Sequence, residues 1–352
     1  MKTRVQTGLS ATIDRLYRRK TLLLVLFLLF LIALPAMGVK TSFKRIVISA
    51  MIYAILGLSL NITTGYTGLV SLGHAAYYSI GAFTSAILST RFGLNFLPCL
   101  LVSILTAAIA GILVGLPSLR LTGSYLCIVT LGFAEVVRAI ELWWEPVTNG
   151  TRGIRDIPAP KFFGLPLTVR NDGAYYLILL MLILVSLLCY LLIRSKIGRG
   201  LICIKEDERA AIMMGIHPFR YKMTAFVFSA ALAGLAGGLY SFVIGYIDPY
   251  TFTFDTSITI LCIVILGGMA TMRGMYLGAI VLIFMPELLR GFDTWRFVIY
   301  GLLLVLMMRF RPQGILGWQS RRPYRLPRGV EPNAIEGTLN QKGGSTGGTT
   351  GS

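Results

Sequence analysis

IVISAMIYAILGLSLNITTGYTGLVSLGHAAYYSIGAF, residues 46–83, is the stretch whose reading decides the architecture. Its first part, 46–63, is apolar and uncharged, as a chain crossing a hydrocarbon core about 30 Å thick requires. A second apolar run, 66–90, follows almost at once, and Gly65, Gly68, Gly73 and Gly81 interrupt what would otherwise be a helix. Two readings of these glycines stand open. Small residues let neighbouring helices approach closely in a membrane. Alternatively, irregular backbone at membrane depth survives only where it is buried or lines a wet cavity, which marks a transport path. On the second reading Asn61, Gly65, Gly68, Ser71, Gly73 and His74 are path candidates. A helix beginning near Tyr66 would carry His74 about 12 Å into the membrane at 1.5 Å per residue. Ionisable groups at such depth are costly and face the bundle interior, so His74 either bonds between helices or meets a solute.

Outward from this stretch, further spans are expected at about 21–38, 96–117, 122–142, 174–193, 222–246, 256–272, 276–290 and 293–310, making about ten. Composition agrees: 55% of the 352 residues are hydrophobic and 14% charged, against about 25% charged in soluble domains. The fold class is therefore an all-α polytopic membrane protein. The run 21–38 follows a basic segment like a secretory signal, but Pro35 and Met37 leave no clear small-residue cleavage site. An uncleaved signal anchor is expected.

A formal charge of +18 would suggest nucleic acid in a soluble protein. Here the basic residues flank spans: six lie in 1–20, seven in 194–222 and seven from Arg309 onward. That pattern marks cytoplasmic flanks meeting anionic lipid, and no nucleic-acid partner is expected. The reading is 1–20 as a cytoplasmic basic N-terminus, 21–310 as the membrane domain with a cytoplasmic loop at 194–222, and 311–352 as a disordered cytoplasmic tail. Six spans and then four separate the basic segments, so both termini lie inside. Lys40, Lys44 and Arg45 fall on the outer side and depart from the rule.

No phosphate loop of the form GxxxxGK[ST] occurs, so ATP-driven work needs another subunit, and the chain itself is expected to bind no cofactor. Neither His74 nor His217 is flanked by paired carboxylates, and no catalytic residue or metal site is expected. The five cysteines read as structural thiols. Glu135, Arg138 and Glu141, at i, i+3 and i+6, read as sharing one helix face. Glu141 falls at the outer end, within reach of solvent, leaving Glu135 and Arg138 as the deeper pair and as path candidates. Glu287 and Arg290 repeat the i, i+3 spacing. In the loop 194–222, Lys205, Glu206, Asp207, Glu208 and Arg209 precede Ala210 and Ala211, and Gly215 offers a helix stop. This mixture reads as a short amphipathic helix that docks a soluble partner.

At these residues the sequence resembles the LivM-type permease subunits of branched-chain amino acid ABC importers. The resemblance rests on GYTGLVSLGHAAYYSIGAF with Ser-Leu-Gly-His at 71–74, LRLTGSYLCIVTLGFAEVVR, TNGTRGI at 148–154, and GRGLICIKEDERAAIMMGI followed by FRYKMTAFVFSAALAGLAGGLY. Together these blocks cover most of 50–280 in the family's order. The resemblance implies a multi-pass cell-membrane permease with two inverted five-helix halves. It implies as partners a homologous LivH-type permease, two ATP-binding subunits and a periplasmic or extracellular binding protein. Residues 198–216 would be seated on the ATPase. Two blocks depart from the family pattern. Asn149 and Arg152 stand where Gly and Asn are usual, and Arg273, Met275 and Tyr276 stand where small residues and proline are common. Leucine-type amino acids are the first cargo expected, with urea, short amides or another amino acid as alternatives. From another class, a self-sufficient channel or ion-coupled transporter is the competing reading.

Overall fold

The computed structural model describes residues 40–288, except 122, 163, 164, 167, 169 and 170, together with Pro35, Gly314 and Ile315. The expected spans 21–38 and 293–310, the Glu287–Arg290 pair, the N-terminal basic segment and the C-terminal tail lie wholly or partly outside the described residues.

Helix dominates. In chain order the helices are α1 (Thr41–Leu60), α2 (His74–Arg91), α3 (Phe96–Ser118), α4 (Ser124–Trp143), α5 (Gly173–Arg194), α6 (Lys196–Glu206), α7 (Glu208–Met213), α8 (Pro218–Ile244), α9 (Phe254–Gly267) and α10 (Met272–Leu288). Between α4 and α5, β1 (Lys161–Phe162) pairs antiparallel with β2 (Leu165–Pro166). Among the described residues, five helices are long and apolar enough to cross a membrane: Thr41–Tyr66, Phe96–Ser118, Gly173–Arg194, Pro218–Ile244 and Pro249–Gly267. The chain is a multi-pass membrane protein.

At the centre, α8 packs against α2 and α3, while α1 packs against α5, α8, α9 and α10. Small residues permit the closest approaches, as is usual where dispersion rather than the hydrophobic effect joins helices. A Cβ on Gly81 would stand 2.2 Å from the carbonyl oxygen of Gly234, and one on Gly234 would stand 2.3 Å from Ala107 Cβ. On α3, Cys99, Ser103, Ala107 and Gly111 are buried, whereas Leu97, Leu101, Leu105 and Ile109 are exposed. Both sets repeat every four residues, so one stripe faces the bundle and the other faces where lipid would lie.

One of the three cations that depart from the charge rule has an acidic partner. Lys44 Nζ lies 2.5 Å from Asp172 Oδ1, tying the start of α1 to the start of α5. Cys99, Cys189 and Cys262 are buried free thiols, while Cys203 is an exposed one on α6.

Candidate functional site

The helix of α1 does not stop at Leu60 but continues through a π-helical turn, Asn61–Tyr66. Such turns are uncommon and concentrate at functional sites. The chain then leaves helical geometry over 68–73, with Gly68 at φ +76°, and α2 begins at His74 behind Gly73. The helix expected from Tyr66 is therefore absent, and His74 stands at the first position of α2 rather than two turns into it. The reason is local: a residue at φ +76° cannot continue a right-handed helix.

His74 is nonetheless 2% exposed. Its Nε2 lies 2.5 Å from Ser59 Oγ on α1, an interhelical hydrogen bond. Ser229 on α8 donates to the Ser59 carbonyl at 2.7 Å. The amide of Ala75 donates to Ser257 Oγ on α9 at 3.1 Å. From α4, Thr130 Oγ1 accepts the Leu72 amide at 3.1 Å. Ser71 is buried too, and its hydroxyl has no partner among the described residues.

Asn61 joins this break to a second one. Its Oδ1 accepts the Ala270 amide at 2.9 Å, and its Nδ2 donates to the Thr271 carbonyl at 3.4 Å. Residues 268–271 connect α9 to α10, with Gly268 at φ +106° and Ala270 at φ +62°. The Ile315 amide caps α9 by donating to the Leu266 carbonyl at 2.8 Å. Gly65 must be glycine for this clasp, since its Cβ would stand 2.0 Å from Asn61 Oδ1 and 2.6 Å from the Ala270 nitrogen. Gly73 is equally confined, with Thr130 O at 2.2 Å from a Cβ, whereas Gly68 has room and is needed for its backbone angle.

Six of the expected path residues, Asn61, Gly65, Gly68, Ser71, Gly73 and His74, thus assemble at one end of the bundle. Glu135 and Arg138 do not join them. They form an ion pair at 3.2 Å on α4 between an exposed Glu135 and a half-buried Arg138, whose guanidinium also lies over the Tyr250 ring. The buried carboxylate is Glu141, at 5% exposure, which its place at the outer end of the span had put within reach of solvent. Residues at i, i+3 and i+6 drift by about 60° per step on a helix of 3.6 residues per turn, so Glu141 lies about 120° round from Glu135. That drift turns it inward, where the Thr148 hydroxyl folds back to its carbonyl at 2.7 Å.

Beside the breaks lies the polar loop. It forms two helices, α6 and α7, rather than one, because Asp207 leaves helical geometry and caps α7, accepting from the amides of Arg209 and Ala210 at 2.9 and 3.1 Å. Gly215, at φ +79°, ends the second helix. Glu206, Glu208, Arg209 and Ala210 are exposed, Ala211 is buried, and Ile212, Met213 and Met214 are exposed apolar residues among them. Lys222 at the base of α8 pairs with Glu208 at 2.8 Å. Lys205 instead reaches back, its Nζ donating to the Gly65 carbonyl at 2.7 Å.

At the other end of α4, residues 145–156 enclose a polar recess of about 1010 Å³ that includes Glu145, Asn149, Arg152 and Arg155. Asn149 stands in the left-handed region at φ +62°, which Asn tolerates better than most residues in place of Gly.

Thr130, Ser229, Ser257, Ala270 and Thr271 complete the site and were not anticipated. Hydroxyl residues inside apolar helices were the available signal; nothing in an alanine announces a positive φ at Ala270.

The family model of the branched-chain amino acid transport system permease component matches residues 42–308. The high-affinity branched-chain amino acid transport system permease protein LivM of Escherichia coli (strain K12) is 42% identical over 320 residues, covering 85% of this chain and 75% of that protein. LivM of Salmonella typhimurium is 40% identical over the same shares. The LivH permease protein of Salmonella typhimurium is 23% identical over 281 residues, 75% of this chain and 91% of LivH. No solved structure matches.

Proposed function

This chain belongs to the permease components of branched-chain amino acid transport systems, and from that premise we propose that it forms one half of the membrane path of an ATP-binding cassette importer, moving branched-chain amino acids inward on ATP hydrolysed by other subunits. The observation that carries the mechanism is the meeting of three features at one end of the bundle. Asn61, just before the break at 68–73, clasps the break at 268–271, and the partly exposed α6–α7 unit lies against the first of them. Residues 206–215 seat the ATP-binding subunits there, with Ile212, Met213 and Met214 offering apolar contacts between charges. Two such subunits serve this chain and a LivH-type permease.

The partly exposed Glu135–Arg138 pair supports that pairing of permeases. A charged residue at the centre of a lipid-facing helix costs about 2.5–3.5 kcal/mol, so this face of α4 meets the second permease or the wet path between the two. The recess at 145–156, at the other end, faces a periplasmic or extracellular binding protein. Ten spans in two inverted halves complete the scheme, with 1–20 and 311–352 on the cytoplasmic side together with α6 and α7. Inverted halves would match the α1–α2 break, with Gly68 at φ +76°, to the α8–α9 connection, with Gly245 at φ +75°. The latter pairs with Ile157 at the recess end of the bundle.

Reversing the charges of 206–209 in the full complex is expected to release the ATP-binding subunits on co-purification and to abolish ATP-dependent leucine uptake into proteoliposomes. Uptake at an undiminished rate in vesicles without any ATP-binding subunit would overturn the reading.

A further inference from the structure

Lys205 sits in the loop assigned to the ATP-binding subunits, yet its ammonium faces the membrane bundle. Its Nζ lies 2.7 Å from the Gly65 carbonyl oxygen, 140 residues away in sequence. That carbonyl is a helix-end acceptor without a helical donor. In a continuous helix the Leu69 amide would serve it, but here that amide goes to Thr63 O and Thr67 Oγ1, both at 3.3 Å. A helix C-terminus concentrates unpaired carbonyls and partial negative charge, and a cation there is stabilising. The Lys205 stem lies over the break itself, since a Cβ on Gly68 would meet Lys205 Cγ at 3.6 Å. One turn back along α1, Asn61 holds the second break through Ala270 and Thr271.

We infer that Lys205 is a positioning residue for coupling: it transmits movement of α6 to the end of α1, and through Asn61 to the 268–271 break. Two side chains thereby connect the loop that meets the ATP-binding subunits to both breaks, with no covalent hinge between them. Glu208 and Lys222 hold the other half of the loop on α8, so displacement of α6 loads the Lys205 contact rather than sliding the whole unit. The inference rests on the permease reading above and deepens it.

The test uses the whole reconstituted complex carrying K205R, K205Q or K205M, with three readouts: ATP-binding subunits retained, ATP hydrolysed, and leucine taken up per ATP. K205R keeps a cationic donor and is expected to transport as the unaltered complex does, with K205Q intermediate. K205M is expected to retain its ATP-binding subunits and its hydrolysis while uptake per ATP falls about tenfold, within the range of ordinary coupling energies. Equal uptake per ATP in all three variants overturns the inference. So does loss of the ATP-binding subunits from K205M, which would make Lys205 a docking residue. Failure of ATP-driven uptake in the unaltered complex would instead overturn the permease reading, so the two failures are distinguishable.

Discussion

Gly65 and Gly68 stand three residues apart and are glycines for different reasons. Gly65 is confined by Asn61 and the Ala270 backbone, whereas a Cβ on Gly68 would meet Lys205 Cγ only at 3.6 Å, and Gly68 is set instead by a left-handed backbone angle. Gly73 is confined like Gly65, against the Thr130 carbonyl. The consequences differ in size and kind. Gly73→Ala must push backbone apart and is expected to destabilise by about 1–3 kcal/mol or more, as overpacking does. Gly68→Ala pays only left-handed strain, about 1–2 kcal/mol. Thermal unfolding of the purified protein in detergent measures both, and a larger loss of melting temperature in Gly68→Ala than in Gly73→Ala would contradict this assignment. Of the uses of glycine at issue, close packing accounts for Gly65, Gly73 and Gly81, and a backbone bend for Gly68.

At the scale of elements, the loop joining α5 to α8 shows how one residue divides a helix. Asp207 accepts two amides of α7 and leaves helical geometry itself, so α6 and α7 are separate bodies held by different partners. Asp207→Ala is expected to cost about 1 kcal/mol, the usual loss for such a cap. It should show as faster amide exchange over 208–213 with exchange in α8 unchanged; equal exchange in both proteins would rule out the capping role. The helix-forming composition of this loop was legible in the sequence, as were the apolar runs corresponding to α1, α3, α5, α8 and α9. The division at Asp207 was less so, because Asp is tolerated within helices and becomes a cap only when the backbone departs.

Across the whole molecule, two kinds of exposed surface on neighbouring helices have different destinations. The stripe Leu97, Leu101, Leu105 and Ile109 on α3 is uniformly apolar and suits lipid. On α4, exposed Tyr125, Val136 and Trp143 share the surface with Glu135 and Arg138. A cysteine at Val136, 56% exposed, is therefore expected to cross-link to the LivH-type permease in the assembled complex, while one at Leu105, 60% exposed, reacts with a lipid-soluble reagent instead. Cross-linking from Leu105 and none from Val136 would place the pairing face elsewhere. The sequence by itself determined a membrane-embedded helical body, the glycine-interrupted stretch after α1, the absence of an ATP-binding loop and the helical character of the polar loop. These follow from local quantities: apolar run length, residue type and charge. Only the tertiary structure decided that Glu141 is buried while Glu135 is exposed and Arg138 half-buried, that Asn61 clasps a second break, and that Lys205 bonds the Gly65 carbonyl. Those outcomes depend on angular drift around a helix and on contacts between residues 140 and 209 positions apart, which local pattern does not encode.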